Sequence, residues 1–218
     1  MEFFIASFLG GILGFFIKGG FFMLLLLALS VCAVTVMILR GLALREAGVL
    51  PPALCTEIER LEPGEDLDKL KSLLSRNPSA LASVLATLLK HLSWPRAEVV
   101  EAVQTRARHE VARLEKGLVI LEIATGVAPL LGLLGTLSGL VGIFASIGAD
   151  PTLVARGIAE ALNTTIVGLA VAVPCMISHN YFQRRIEVMA VEMESMVSDL
   201  VAKCYPQGAT PTIQRISK

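Results

Sequence analysis

Three stretches of the chain are almost free of charge over the length a bilayer demands, and amphipathic patterns at helical spacing fill most of what lies between. The first stretch, Gly19–Leu39, ends at Arg40 and contains the run Leu24–Leu27. The second, Val127–Gly148, is apolar apart from Thr136, Ser138 and Ser146. The third, Ile158–Phe182, carries Glu160, Asn163, Thr164, Thr165 and a mid-helix Pro174. Small residues recur along the second at steps of three or four: Ala128, Gly132, Gly135, Gly139, Gly142 and Ser146. Lipid tails supply no hydrophobic drive for helices to associate, so such a stripe predicts close packing against another helix.

The polar stretch Gly41–Lys116 reads as a small helical domain, with no strand-like alternation. Asp66 is placed to cap a helix with Leu67, Leu70 and Leu74 on one face. Asn77 and Pro78 make a break, after which Ser79 caps a helix with Leu81, Val84, Leu85, Leu88 and Leu92 on one side. Trp94 and Pro95 interrupt again. A third helix from Arg96 turns Val99, Val103, Val111, Leu114 and Leu118 inward. It meets no stop signal before the second span. Unbroken to Gly148 it would run about fifty residues, roughly 78 Å, with a kink at Pro129.

The Phe-rich segment Glu2–Ile17 is short for a span and lacks the positive start of a secretory signal, which predicts an interfacial helix or a lead-in to the first span. Beyond Arg184 and Arg185, Ile186, Met189, Met193, Met196 and Leu200 mark a further amphipathic helix. The expected organisation is therefore an N-terminal segment (1–18), span one (19–39), a cytoplasmic helical domain (40–116), span two with its approach (117–148), an outer loop (149–156), span three (157–182), an amphipathic helix (183–204) and an unordered tail (205–218). The fold class is an all-α integral membrane protein with three transmembrane helices, spans two and three extending into the cytoplasmic domain.

A mean hydropathy of +0.69 over 218 residues fits a membrane protein rather than a soluble domain. Nineteen basic residues balance nineteen acidic ones, so no global field argues for nucleic acid. The basic residues are nonetheless lopsided. Arg40, Arg45, Arg113, Lys116, Arg184 and Arg185 flank one side of the spans, and only Lys18 and Arg156 the other. Positive charge marks the cytoplasmic side, which predicts an outside N-terminus and a cytoplasmic C-terminus. Cys32, Cys55, Cys175 and Cys204 form no close pair, and His91, His109 and His179 show no ligand spacing. No hydrolase, phosphate-loop, zinc-protease or dinucleotide motif is present, so neither an enzyme nor a cofactor is expected.

The informative residues are polar ones placed where lipid makes them expensive. Glu160 enters the third span, and an ionised carboxylate within lipid costs ~2.5–3.5 kcal/mol or more. Such a group faces a bundle interior or a water path; alternatively, it ends the helix at the headgroups, where a carboxylate suits the N-terminal dipole. Asn163 and Thr164 share its face, while Thr165 is turned about 140° away. Each threonine can instead satisfy its own i−4 carbonyl. Glu122 reads as an interfacial carboxylate, and His179, Asn180 and Tyr181 as anchors at the membrane edge. All four aspartates (Asp66, Asp68, Asp150, Asp199) fall outside the spans, so a buried aspartate would have to come from a partner helix.

Taken in order, Leu114-Glu115-Lys116-Gly117, Ala128-Pro129-Leu130-Leu131-Gly132-Leu133-Leu134-Gly135-Thr136, Gly157-Ile158-Ala159-Glu160-Ala161-Leu162, Thr164-Thr165, the run Gly168–Pro174 and Asn180-Tyr181-Phe182 resemble the MotA/TolQ/ExbB proton channel family, closest to its ExbB/TolQ branch. The resemblance implies a ring of five copies around the single-span helices of a partner of the ExbD, TolR or MotB type, whose aspartate takes the proton. It implies conversion of the proton motive force into mechanical work in a bacterial inner membrane, for TonB-dependent transport or Tol-type envelope function through a TonB- or TolA-like protein. Glu160, Thr136 and Thr165 match the family's polar pore-lining positions, with Thr164 beside them. Asn163 departs from the apolar residue expected there. The glutamate within IAEAL argues against the flagellar branch, although a gliding or flagellar stator remains a rival, as does a non-conducting scaffold for a single-span partner.

Overall fold

The computed structural model describes residues 20–63, 65–144 and 151–205. The segment expected as an interfacial helix, the tip of the loop between spans two and three, and the tail from 206 lie outside them. Eight helices are present among the described residues, and no strand. They are α1 (Gly20–Ala43), α2 (Glu46–Val49), α3 (Pro52–Arg60), α4 (Asp68–Arg76), α5 (Ala80–Lys90), α6 (Arg96–Glu115), α7 (Leu118–Phe144) and α8 (Pro151–Cys204). Three are long and apolar enough to cross a membrane: α1, α7 and the part of α8 from Val154 onward. The chain is thus an all-helical membrane protein.

The chain divides into two compact units. The first takes its described residues from Met1–Leu39 and Gly117–Tyr181, that is, most of α1, all of α7 and the first half of α8. The long apolar side chains Leu24, Val31, Leu130, Leu133, Val141, Ile166 and Val173 point outward. The inside is made of small groups and a few large ones: Leu26, Ala128 and Ala172 are buried together, with Leu29, Leu131, Val167 and Val171 packed around them. This is the inverse of a water-soluble domain, and it follows from a solvent that is itself apolar.

The second unit takes its residues from Arg40–Lys116 and from Phe182 onward. Here burial in the ordinary sense does the holding. Leu54, Ile58, Leu70, Leu81, Leu85 and Leu88 are at most 1% exposed, as is Ile186 on α8, and each such side chain contributes about 1.5–3 kcal/mol. The amphipathic stripe of α5 faces in as its spacing predicts, and Ser79 Oγ caps that helix by accepting the Ala82 N–H at 3.1 Å. Asp66 acts one residue outside α4: its Oδ1 accepts the Asp68 N–H at 3.1 Å, with Leu67 at the cap position.

Two expectations are corrected. The third cytoplasmic helix does not run on into the second span: α6 ends at Glu115 and α7 begins at Leu118. Gly117 sits at φ +96°, a left-handed conformation that no right-handed helix contains and that glycine adopts without penalty. Tyr205, assigned to the head of an unordered tail, is 8% exposed, its hydroxyl 2.8 Å from the Leu92 carbonyl and 3.1 Å from that of Trp94. Beside it, Lys203 Nζ donates to the carbonyl of Ile58 at 2.7 Å and so closes the end of α3.

One buried group went unforeseen. Glu110 lies on the inward face of α6, 3% exposed, one helical step of seven from Val103. Arg106 stands 2.7 Å from its Oε1, and Arg106 Nε also donates to Ser83 Oγ on α5 at 2.9 Å. A glutamate flanked by arginines at i−4 and i+3 (Arg106 and Arg113) was the available signal.

Candidate functional site

Helices α7 and α8 run antiparallel and touch along a seam of small residues. An added methyl on Gly139 would stand 2.9 Å from Ala161 Cβ, on Gly135 2.7 Å from Thr164 Cγ2, and on Gly132 3.0 Å from the Thr165 Cα. From the opposite helix, one on Gly168 would stand 2.6 Å from the Ala128 carbonyl oxygen. The same methyl on Gly135 would stand 3.2 Å from Phe22 Cβ of α1. Ala128, Gly132 and Gly135 are buried in this seam. Gly142 is not: a methyl there would meet nothing within 4 Å. Ser146 lies outside the described residues.

Three hydroxyls converge inside the seam. Thr136 Oγ1 lies 3.1 Å from the carbonyl of Gly132, its own i−4 residue, and 3.0 Å from that of Ala161 on α8. Thr165 Oγ1 reaches back to the Gly132 carbonyl at 3.2 Å, and the Thr136 and Thr165 hydroxyls are hydrogen-bonded to each other. Thr164 donates to Ala161 at 2.8 Å. Thr136 is 7% and Thr164 2% exposed, and Thr165 is half-buried at the seam's edge. Each threonine has one proton to give. When Thr165 donates to Thr136, the Thr136 proton goes to the carbonyl of Ala161 or to that of Gly132; when Thr136 donates to Thr165, the Thr165 proton goes to that of Gly132. The i−4 bond and the bond across the seam are alternatives for the one Thr136 proton, so the same cluster can serve the structural or the relay reading.

Glu160 and Asn163 stand apart from this cluster. Glu160 is exposed on α8 and paired with Arg156 four residues earlier, Nε to Oε1 3.4 Å. Its strip of the helix continues, at steps of seven, four and three, through Val167, Val171 and Pro174, which line a groove between α8 and α1. Thr165 faces the other way. Asn163 is half-buried. The structure thus brings Thr136, Thr164 and Thr165 together and leaves Glu160 and Asn163 outside their hydrogen-bond network.

Gly168 and Ala161 are the contributors without an assigned role in the sequence reading. Both lie on a second small-residue row, Gly157, Ala161, Thr164, Gly168 and Ala172, spaced like the first. Among the described residues no three His, Cys, Asp or Glu side chains gather where a metal would sit, and the four cysteines are unbridged.

These features define a multi-span helical membrane protein built around a narrow, hydroxyl-bearing seam. The sequence profile of the MotA/TolQ/ExbB proton channel family matches residues 67–195. The chain belongs to that family, on its ExbB/TolQ side. It is 29% identical to a biopolymer transport protein ExbB homolog of Methanothermobacter thermautotrophicus, over 90% of this chain and 78% of the relative. It is 35% identical to an ExbB-like biopolymer transport protein of Synechocystis, over 72% and 65%. With the Tol-Pal system protein TolQ of Pseudomonas aeruginosa it shares 32% identity over 77% and 79%.

Proposed function

We propose that the chain is the proton-conducting subunit of an energy-transducing complex in a bacterial inner membrane, converting the proton motive force into mechanical work. The observation that carries this reading is the Thr136–Thr165 hydroxyl pair, set between two apolar spans and shared between carbonyls of both helices. Hydroxyls of this kind pass or orient a proton without holding charge, which suits a low-dielectric seam where a fixed charge is expensive. Glu160, with Asn163 near it and paired with Arg156, is the carboxylate that captures or releases the proton toward the outer mouth. The small-residue rows pack span two against span three within each copy, and several copies, five by resemblance, close around a lumen. The acid within the spans is supplied by a single-span partner of the ExbD or TolR type, since this chain has no aspartate there. The N-terminus lies outside and the helical unit in the cytoplasm. Relatives named for biopolymer transport and for the Tol-Pal system support work on a TonB- or TolA-like protein.

The test reconstitutes the full chain with its single-span partner in vesicles and follows proton flux with a trapped pH dye. Thr136→Val is expected to cut flux at least tenfold with the oligomer intact, while Thr136→Ser keeps it. Glu160→Gln is expected to lower flux as well. Wild-type flux through assembled Thr136→Val would leave a non-conducting scaffold as the better account.

A further inference from the structure

The α7–α8 contacts fix a register that extends past the threonine cluster. Gly139 meets Ala161, Gly135 meets Thr164, Gly132 meets Gly168, and Ala128 is buried with Ala172. The eleven residues back along α7 from Gly139 to Ala128 are matched by eleven forward along α8 from Ala161 to Ala172. Six residues beyond Ala128 and Ala172, the same register brings Glu122 to the level of Ser178 and His179.

Rotation selects among these. Glu122 lies fourteen residues before Thr136, and His179 fourteen residues after Thr165. Fourteen helical steps return to within about 40° of the starting direction and advance about 21 Å. Glu122 and His179 therefore lie on the edge of the seam that carries the hydroxyl pair, four turns away, whereas Ser178 is turned toward the α1 side. Glu122 is exposed and His179 half-buried. Between the two levels, Thr125 and Pro129 occupy the same edge of α7. Proline has no N–H, so the Thr125 carbonyl loses its helical donor and is left as an acceptor. The Thr125 hydroxyl is engaged with Leu121 at 2.9 Å.

The geometry points to Glu122 and His179 as a second proton-exchange station, at the opposite end of the spans from Glu160. This rests on the conducting role proposed for the seam. The Glu122 carboxylate takes a proton from hydronium, leaving water; the His179 imidazole then accepts that proton, and the imidazolium so formed returns it to water. The freed Thr125 carbonyl orients water on the way to Thr165. Leu133 on α7 and Gly168, Ala172 and Met176 on α8 fill the intervening edge and offer no side-chain relay, so water completes the path. Among the described residues of this unit, no other ionisable side chain reaches the station's edge. The described part of α1 within this unit offers only Cys32, which is exposed; Cys175 is buried among the groove residues facing α1, Tyr181 is turned off the seam, and Arg156 and Glu160 are at the far end.

The experiment uses the same vesicles with the pH of each side varied separately. Wild-type flux is expected to titrate with the pH on the Glu122 side. Glu122→Gln should lower flux about tenfold and abolish that titration, Glu122→Asp should restore both, and His179→Gln should shift the midpoint. Wild-type flux and profile in Glu122→Gln, with Thr136→Val inactive, overturns the station and leaves the channel reading intact. Normal flux in Thr136→Val removes both. If Glu122→Gln does not assemble, an unshifted profile in His179→Gln overturns the station.

Discussion

Replacing Gly168 by alanine is the sharpest test of the seam. The new methyl would stand 2.6 Å from the Ala128 carbonyl oxygen, 3.1 Å from Gly132 Cα and 3.3 Å from Gly132 N. All three are backbone atoms of a helix, so no side chain can swing aside. Reaching ordinary contact at 3.4 Å needs a separation of about 0.8 Å at this level. That movement takes the Thr136–Ala161 and Thr165–Gly132 bonds, now 3.0 and 3.2 Å, out of hydrogen-bond range. Overpacking costs about 1–3 kcal/mol. Each interhelical bond lost adds about 0.6 kcal/mol. The gain in helix propensity returns at most about 1 kcal/mol. The net expectation is about 2 kcal/mol of destabilisation. Gly126→Ala is the matched control, since a methyl there meets nothing within 4 Å and keeps only the propensity gain. Both variants are measured by SDS titration in mixed micelles, following helix content. Equal stabilities within about 0.5 kcal/mol would refute the packing argument.

In the helical unit, Tyr205→Phe removes the donor to the Leu92 and Trp94 carbonyls and should lower stability by about 1 kcal/mol. Fluorescence of Trp94, the chain's single tryptophan, should shift with it; an unchanged spectrum and midpoint would contradict the clasp. Burial pushes the Cys204 thiol up to about 11 from 9.0. Between those values the unfolded chain releases a proton that the folded one keeps, so the stabilising contribution is present below pH 9 and is lost as pH rises toward 11. Iodoacetamide labelling of Cys204 at pH 9 should accordingly be much slower than in urea; equal rates would show that the thiol is not desolvated.

The elements were legible where one property sufficed to place them. Uncharged length located α1, α7 and the membrane half of α8, because a bilayer demands little beyond that. Helical spacing of Leu81, Val84, Leu85 and Leu88 located α5, and Ser79 its start. The break at Gly117 was hidden because a single glycine in a helical pattern is tolerated as often as it stops a helix. Glu110 was hidden because the flanking Arg106 and Arg113 signal pairing but not burial, which depends on α6 packing on α5 with Arg106 also reaching Ser83. Within the site, the 140° between Glu160 and Thr165 was readable from the helical step. The partnership of Thr136 with Thr165 was not, because it depends on the register of two helices whose chain positions are far apart.

The stripe of small residues and the buried hydroxyls are one feature rather than two. A threonine side chain is short, and for Thr136 to reach a carbonyl on α8 the helix axes must approach as closely as backbone contact allows. Gly132, Gly135, Gly139 and Gly168 make that approach possible, and the hydroxyls then supply the polar attraction that lipid withholds. Either alone would be weak. A glycine seam without hydroxyls gains only dispersion, and threonines on bulkier helices would close on their own i−4 carbonyls. The coupling also fixes how tight the seam is. Where a single methyl would already collide with backbone, there is no room between α7 and α8 for a hydrated cation, and only the edge at Thr165 is half-exposed.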